Sequence, residues 1–134
     1  MENEYIGPER RRFRRVRMNV MVIYKTQEPL TVHMMVGDKE VPARMLDLSE
    51  AGMAIATDYN IPNETILLIE FILINVDAIE KKTRRINIIG EVRNNTLIET
   101  KGHQNYRLGI YFTQISDEDR IVIANFIKTT TGYK

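Results

Sequence analysis

Apolar and polar residues alternate with a period of two over Val16 to Lys25 and again over Gly52 to Thr57, a pattern that a β-strand with one buried face produces and a helix does not. Val16 to Lys25 reads Val-x-Met-x-Val-x-Val-x-Tyr, a half-buried strand. Residues 30–36 (Leu-Thr-Val-His-Met-Met-Val) are β-rich and run into a Gly37-Asp38 turn. Val41 to Leu48 and Gly52 to Thr57 read as two further strands, before a loop at Asn60–Asn63 that contains Pro62. The run 65–75 (Thr-Ile-Leu-Leu-Ile-Glu-Phe-Ile-Leu-Ile-Asn) is almost wholly apolar and rich in β-branched residues, as a buried strand is. Charged Glu80 to Arg85 looks like a hairpin tip. Ile86 to Thr96 follows as a strand, Gly102-His103 as a turn, and Arg107 to Thr113 as the last strand.

The period then changes. Ser116 is placed to cap a helix, with Asp117, Glu118 and Asp119 favouring its positive end. Ile121, Ala124 or Asn125, and Lys128 fall on one stripe, with Val122, Phe126 and Ile127 near it, over about three turns. The chain ends in polar Thr129–Lys134, where fraying is expected. Six or seven short strands and one terminal helix imply an all-β barrel or sandwich. The helix would plug one end of a barrel or meet another subunit.

Composition removes several function classes. At 134 residues the chain fits one domain with a real core. It has no cysteine, so neither disulfides nor thiolate metal sites are available, and its two histidines, His33 and His103, are far apart. No metal site, catalytic triad or other catalytic set emerges, so no enzyme and no cofactor are expected. Glu70 has no second acid or base beside it, and most methionines read as core filler. No apolar run reaches the roughly 18 residues of a membrane helix, and the start lacks a secretory apolar region. A cytoplasmic protein without a membrane span is expected.

The formal net charge of +1 hides an asymmetry: six arginines and three glutamates fall within residues 1–17, whereas the rest is slightly acidic. A nucleic-acid protein spreads basic charge over a face and interleaves aromatic platforms. Here the charge is local and tryptophan is absent, so a small anion fits better than a polynucleotide. A single-stranded nucleic-acid-binding β-barrel stays as an alternative.

Two constellations carry chemistry. The first is Glu9-Arg10-Arg11-Arg12-Phe13-Arg14-Arg15-Val16-Arg17. A guanidinium grips phosphate bidentately and stacks on bases; Arg11 and Arg15, four apart, are spaced to hold one phosphate, with Phe13 anchoring the arm. Taken alone, such a run is more often a solvated basic tail. The second is Asp47-Leu48-Ser49-Glu50-Ala51-Gly52. A carboxylate accepts the N1–H and N2–H₂ donors of guanine, a hydroxyl bonds a base, a phosphate or the local backbone, and glycine permits positive φ or close backbone approach. Taken alone, it is also an ordinary Asx- or Ser-stabilised turn. Arg93 reads as a solvated strand residue before it reads as a stacking platform.

Together, Arg-x-x-x-Arg (Arg11, Arg15) preceded by Arg10, and Asp-x-Ser-x-x-Gly (Asp47, Ser49, Gly52), resemble the PilZ domain family. Phe13, the strand opening Val-Arg-Met-Asn-Val, Gly90-Glu91-Val92, Leu108-Gly109-Ile110 and the terminal helix extend the likeness over residues 9–128. The resemblance implies a six-stranded antiparallel β-barrel with a C-terminal α-helix over residues 10–130, preceded by an arm at 1–9. It implies a receptor for cyclic di-GMP, with Arg10, Arg11 and Arg15 on phosphates and guanine, Asp47 and Ser49 on guanine, and Gly52 leaving room for it. Arg10 would decide between one ligand and an intercalated pair. The ligand would order the arginine arm, since charge-assisted bonds of roughly 1.5–3 kcal/mol each offset an ordering cost of roughly 1–2 kcal/mol per residue. The altered surface would then act on a protein partner such as a flagellar motor, a polysaccharide synthase or another effector, controlling motility, exopolysaccharide or biofilm. A ligand-independent partner-binding module of the same type is the other alternative. The arm fits either a free-standing protein or the C-terminal part of a longer regulator resembling flagellar brake proteins.

Overall fold

The computed structural model describes residues 15–29, 39–75 and 82–130. The β-rich stretch 30–36, the Gly37-Asp38 turn, His33 and the arginines before Arg15 lie outside these residues. The elements are β1 (Val16–Glu28), β2 (Val41–Leu48), β3 (Gly52–Thr57), β4 (Ile66–Asn75), β5 (Lys82–Thr100), β6 (His103–Gln114) and α1 (Asp117–Thr130). The strands close antiparallel into a barrel in the order β1-β2-β3-β6-β5-β4. The expected six-stranded barrel with a C-terminal helix is the fold. Several strand boundaries differ: β1 runs past Lys25 to Glu28, β5 past Thr96 to Thr100, and β6 begins at His103, expected in a turn, instead of Arg107. Arg84 and Arg85, expected in a hairpin tip, continue β5 opposite Leu73 and Ile72.

The interior follows from the alternation. Val22 and Tyr24 of β1, Leu67, Ile69, Phe71 and Leu73 of β4, Ile86, Ile88 and Val92 of β5, and Leu108, Ile110 and Phe112 of β6 fill the lumen. Tyr24 brings a hydroxyl inside. It shares a 2.8 Å hydrogen bond with Thr57 Oγ1, tying β1 to β3 across β2. Ser116 caps the helix as expected, accepting from the Asp119 N–H at 3.1 Å. The buried stripe of α1, however, is Asp119, Ile123 and Ile127, with Val122 and Phe126 beside it. Ile121, placed on the expected stripe, is 58% exposed. The i, i+4 pair Ile123/Ile127 meets the core, and Arg84 Nη2 reaches Asp119 Oδ1 at 3.0 Å, which fixes the helix rotation.

Two irregularities reverse the in–out parity of a strand. In β2, Met45 lies opposite Ile55 but Asp47 lies opposite Ala54, so Leu46 is an extra residue and both Met45 and Leu48 face inward. In β5, Val92 lies opposite Ile110 but Asn94 opposite Gly109, so Arg93 is extra. Such bulges re-aim side chains. The loop before β4 supports the second one: the Glu64 N–H donates to the Val92 carbonyl at 2.7 Å, the Val92 N–H donates to the Thr65 carbonyl at 2.9 Å, and Asn95 Nδ2 donates to the Ile61 carbonyl at 2.7 Å.

The tightest backbone approach is at Gly52, where a Cβ would lie 2.2 Å from the Ile110 carbonyl oxygen. Gly52→Ala is expected to cost roughly 3 kcal/mol in urea denaturation, at the upper end of overpacking. Burial pushes the Tyr24 phenol up to about 12. Its unfolded value is near 10, so the fold favours the neutral form; that stability is complete below pH 10 and is lost as the pH rises to 12. Urea titrations across this window should show a loss of about 2–3 kcal/mol that is absent in Tyr24→Phe, a variant that is less stable at neutral pH because Thr57 loses the Tyr24 hydroxyl and keeps the longer bond from the Tyr59 N–H.

Candidate functional site

The bulge at Leu46 turns Asp47 to the outer wall. There Arg15 Nη1 donates to Asp47 Oδ1 at 2.9 Å, and Arg107 Nη2 donates to Oδ2 at 3.1 Å. One carboxylate, 16% exposed, is thus shared by two guanidiniums that are 35% and 40% exposed. Arg15 directly precedes β1, where Arg17 is paired with Asp47. Arg107 stands on β6, whose inward Leu108, Ile110 and Phe112 leave Arg107, Gly109 and Tyr111 pointing out.

These residues line a cleft of about 290 Å³ with Gly52, Arg93 and Asn94. The bulge at Arg93 puts Arg93 and Asn94 in succession on this wall. The Arg93 guanidinium lies 4.8 Å above the centre of the Tyr111 ring and 3.4 Å from Glu91 Oε1. A Cβ on Gly109 would fall 2.7 Å from Asn94 Nδ2, so glycine there lets the carboxamide lie flat on β6. Three arginines and one aspartate line the cleft, with Glu91 beside Arg93, so it is cationic and offers planar donor forks, the Asp47 carboxylate, an amide and an aromatic face. This inventory suits an anion that carries a planar heterocycle.

Of the residues expected to form the site, the structure brings Arg15, Asp47 and Gly52 together. Arg10 and Arg11 lie outside the described residues. Ser49 is buried, and its hydroxyl turns into its own loop: it accepts from the Ala51 N–H at 3.2 Å and the Gly52 N–H at 3.1 Å and donates to the Gly52 carbonyl at 3.2 Å. Gly52 lines the cleft, but β6 requires its missing Cβ whatever the cleft contains. Arg93 combines both readings, being 54% exposed and stacked. Arg107, Asn94 and Tyr111 were not expected. Alternation along β6 signals that Arg107, Gly109 and Tyr111 share a face; only the β3–β6 pairing brings that face to Asp47.

Elsewhere, a larger cleft of about 460 Å³ lies over β1, β4 and β5, lined partly by Ile23, Leu68, Glu70 and Ile89. It contains none of the motif residues. Glu70 is held by Arg85 Nε at 3.1 Å, and exposed His103 lies 3.4 Å from Asp58. Among the described residues, no group of three His, Asp or Glu side chains is arranged to hold a metal, and no helix is long and apolar enough to cross a membrane.

Six antiparallel strands closed on a packed lumen, a C-terminal helix, and an arginine–aspartate cleft on the wall define a small β-barrel module with a cationic surface site. The profile of the PilZ domain family matches residues 9–129. The chain belongs to that family. Solved structures of similar fold include the Bacillus subtilis inhibitor of motility (MotI/DgrA), 15% identical with a TM-score of 0.69 over 92% of this chain and 52% of that one. The PilZ domain with c-di-GMP of YcgR from Escherichia coli is 14% identical, with a TM-score of 0.61 over 92% of each chain. The K. pneumonia MrkH–c-di-GMP complex is 14% identical, with a TM-score of 0.63 over 91% of this chain and 53% of that one. The chain therefore spans about half the length of MotI and of MrkH. Among curated protein sequences none matches significantly.

Asp47 and Ser49 should separate in stability measurements. Asp47→Ala removes two part-exposed ion pairs and should change the unfolding free energy by less than about 1 kcal/mol. Ser49→Ala strands buried loop donors and should cost about 1–3 kcal/mol. Chemical denaturation of both variants checks this.

Proposed function

We propose that this domain is a cyclic di-GMP receptor, not an enzyme, and that the cleft around Asp47 is where the nucleotide docks. The observation that carries this is the meeting of the two motifs: Arg15 and Asp47, 32 residues apart, are in contact at 2.9 Å in one cleft. The chemistry matches. Cyclic di-GMP presents two phosphate charges and two guanines. Guanine offers N1–H and N2–H₂ to a carboxylate and O6/N7 to an arginine fork. In this reading Arg10, Arg11 and Arg15 take phosphate oxygens and guanine, and Asp47 takes the Watson–Crick edge. Ser49 and Gly52 hold the loop that aims Asp47. Family membership and the c-di-GMP complexes of YcgR and MrkH support the ligand class.

The signalling reading extends the same proposal. Residues 10–130 act as the binding unit and 1–9 as an arm leading into it. The nucleotide gathers the arginine run over the cleft mouth and so changes the surface beside β1, β2 and β6, to which a protein partner responds. Control of motility, exopolysaccharide or biofilm is the proposed output. Arg10 sets whether one nucleotide or a stacked pair binds.

Isothermal titration calorimetry with cyclic di-GMP tests this directly. Arg11→Ala, Arg15→Ala and Asp47→Ala should each weaken binding by at least about tenfold, since each removes charge-assisted bonds. Unchanged binding in Arg15→Ala and Asp47→Ala alike would show that the nucleotide docks elsewhere.

A further inference from the structure

The two guanidiniums on Asp47 are not equivalent. Arg107 stands in the middle of a ladder, with Ala56 of β3 on one side and Thr96 of β5 on the other. Arg15 precedes the first residue of β1 and is continuous with the arginine run. One partner of Asp47 is therefore fixed by the barrel, and the other stands at the end of a strand.

We infer that Arg107 is a positioning residue: it holds the plane of the Asp47 carboxylate for guanine while Arg15 leaves that carboxylate for the ligand's phosphate. This rests on the cyclic di-GMP reading above. A carboxylate has about four lone-pair sites. Arg15 occupies one on Oδ1 and Arg107 one on Oδ2. Guanine needs one acceptor on each oxygen for N1–H and N2–H₂. Each oxygen keeps a second site, so guanine can bond both with Arg107 still bound, and the departure of Arg15 clears the approach and frees its guanidinium for phosphate. The torsion that orients an aspartate carboxylate is broad and soft, so without a fixed donor on Oδ2 the two oxygens would not stay in the plane of the base. Arg107 also keeps a positive charge beside Asp47 when Arg15 has turned to phosphate. Free and bound states thus each satisfy the carboxylate, and the exchange involves one arginine.

A merely electrostatic role for Arg107 would affect every anionic ligand alike. A positioning role would affect the reading of guanine. The test compares cyclic di-GMP with its inosine analogue, which keeps N1–H and both phosphates but lacks the exocyclic amine, by calorimetry or competition on the full chain. Arg107→Ala should weaken cyclic di-GMP by about 10–100-fold, the range seen when the group orienting a ligating side chain is lost. It should also shrink the preference over the inosine analogue at least about threefold, because a site built to bond an N–H loses discrimination when its acceptor is misaimed. Arg107→Lys restores the charge without the planar fork, so it should recover affinity in part and leave the preference diminished. In an Asp47→Asn background, Arg107→Ala should cost less than about twofold, because the two residues act as one unit.

Three results would overturn the proposal: an unchanged preference in Arg107→Ala, full recovery of the preference by Arg107→Lys, or costs that add in the double variant. Melting temperatures identify a misfolded Arg107→Ala, in which case the lysine variant alone decides. A wild-type chain that fails to bind cyclic di-GMP removes the ligand reading and this inference with it. A wild-type chain that binds while the Arg107 variants keep their preference removes only the inference.

Discussion

The seam between β3 and β6 joins segments that are half the chain apart, and it is tightest at Gly52, where any side chain would strike the Ile110 carbonyl. The contact continues beyond the strand: the Phe112 N–H donates to the Ala51 carbonyl at 2.8 Å, so the Ser49–Gly52 loop is stitched to β6 by backbone alone. Everything distinctive about the wall site depends on this seam. It brings β2, one strand further along, near enough to β6 for Arg107 to reach Asp47. A fold without it would leave the aspartate and that arginine on separate surfaces.

Strand parity decides the rest. An uninterrupted β2 that buries Val41 and Met45 would also bury position 47, because side chains repeat every two residues. The extra residue at Leu46 reverses this, burying Leu48 and exposing Asp47 to the cleft. The extra residue at Arg93 does the same for β5 and sets Arg93 and Asn94 side by side. Both bulges border the cleft, and the second has its backbone satisfied by Glu64 and Thr65. Other ladders shift register too, at Arg17/Val20, Thr26/Glu28 and Ile89/Gly90, but it is the bulges at Leu46 and Arg93 that turn polar groups to the cleft.

Much of this was legible in the residues. Period-two alternation, the apolar β-branched run of β4 and the turn residues between segments revealed the described strands, Ser116 and its acids revealed the helix start, and the spacing of Arg15, Asp47 and Gly52 pointed to one site. What was not legible has a common cause. A bulge leaves no mark in a strand that can be read either way, so the facing of Asp47 and Asn94 depends on partners that local pattern does not identify. The rotation of α1 was misjudged for a similar reason: Ile121 and Ile123 are equally apolar, and the choice is made by the Arg84–Asp119 contact with β5. The hydroxyl of Ser49 could bond a base, a phosphate or its own backbone, and its three loop bonds are a matter of local geometry that residue types alone do not settle. Arg107 sat unnoticed in a strand because its importance comes from a neighbour sixty residues away.

The lumen is packed with apolar side chains, and the cleft lies on the outer wall. The packed interior and the cleft therefore draw on different halves of the same strands, inward residues forming one and outward residues the other. Such a division lets the wall diverge without repacking the interior. The same barrel at 15% identity is what this division permits: an interior that only has to stay apolar and tightly filled, beside a wall whose charges and polar groups can be exchanged one at a time.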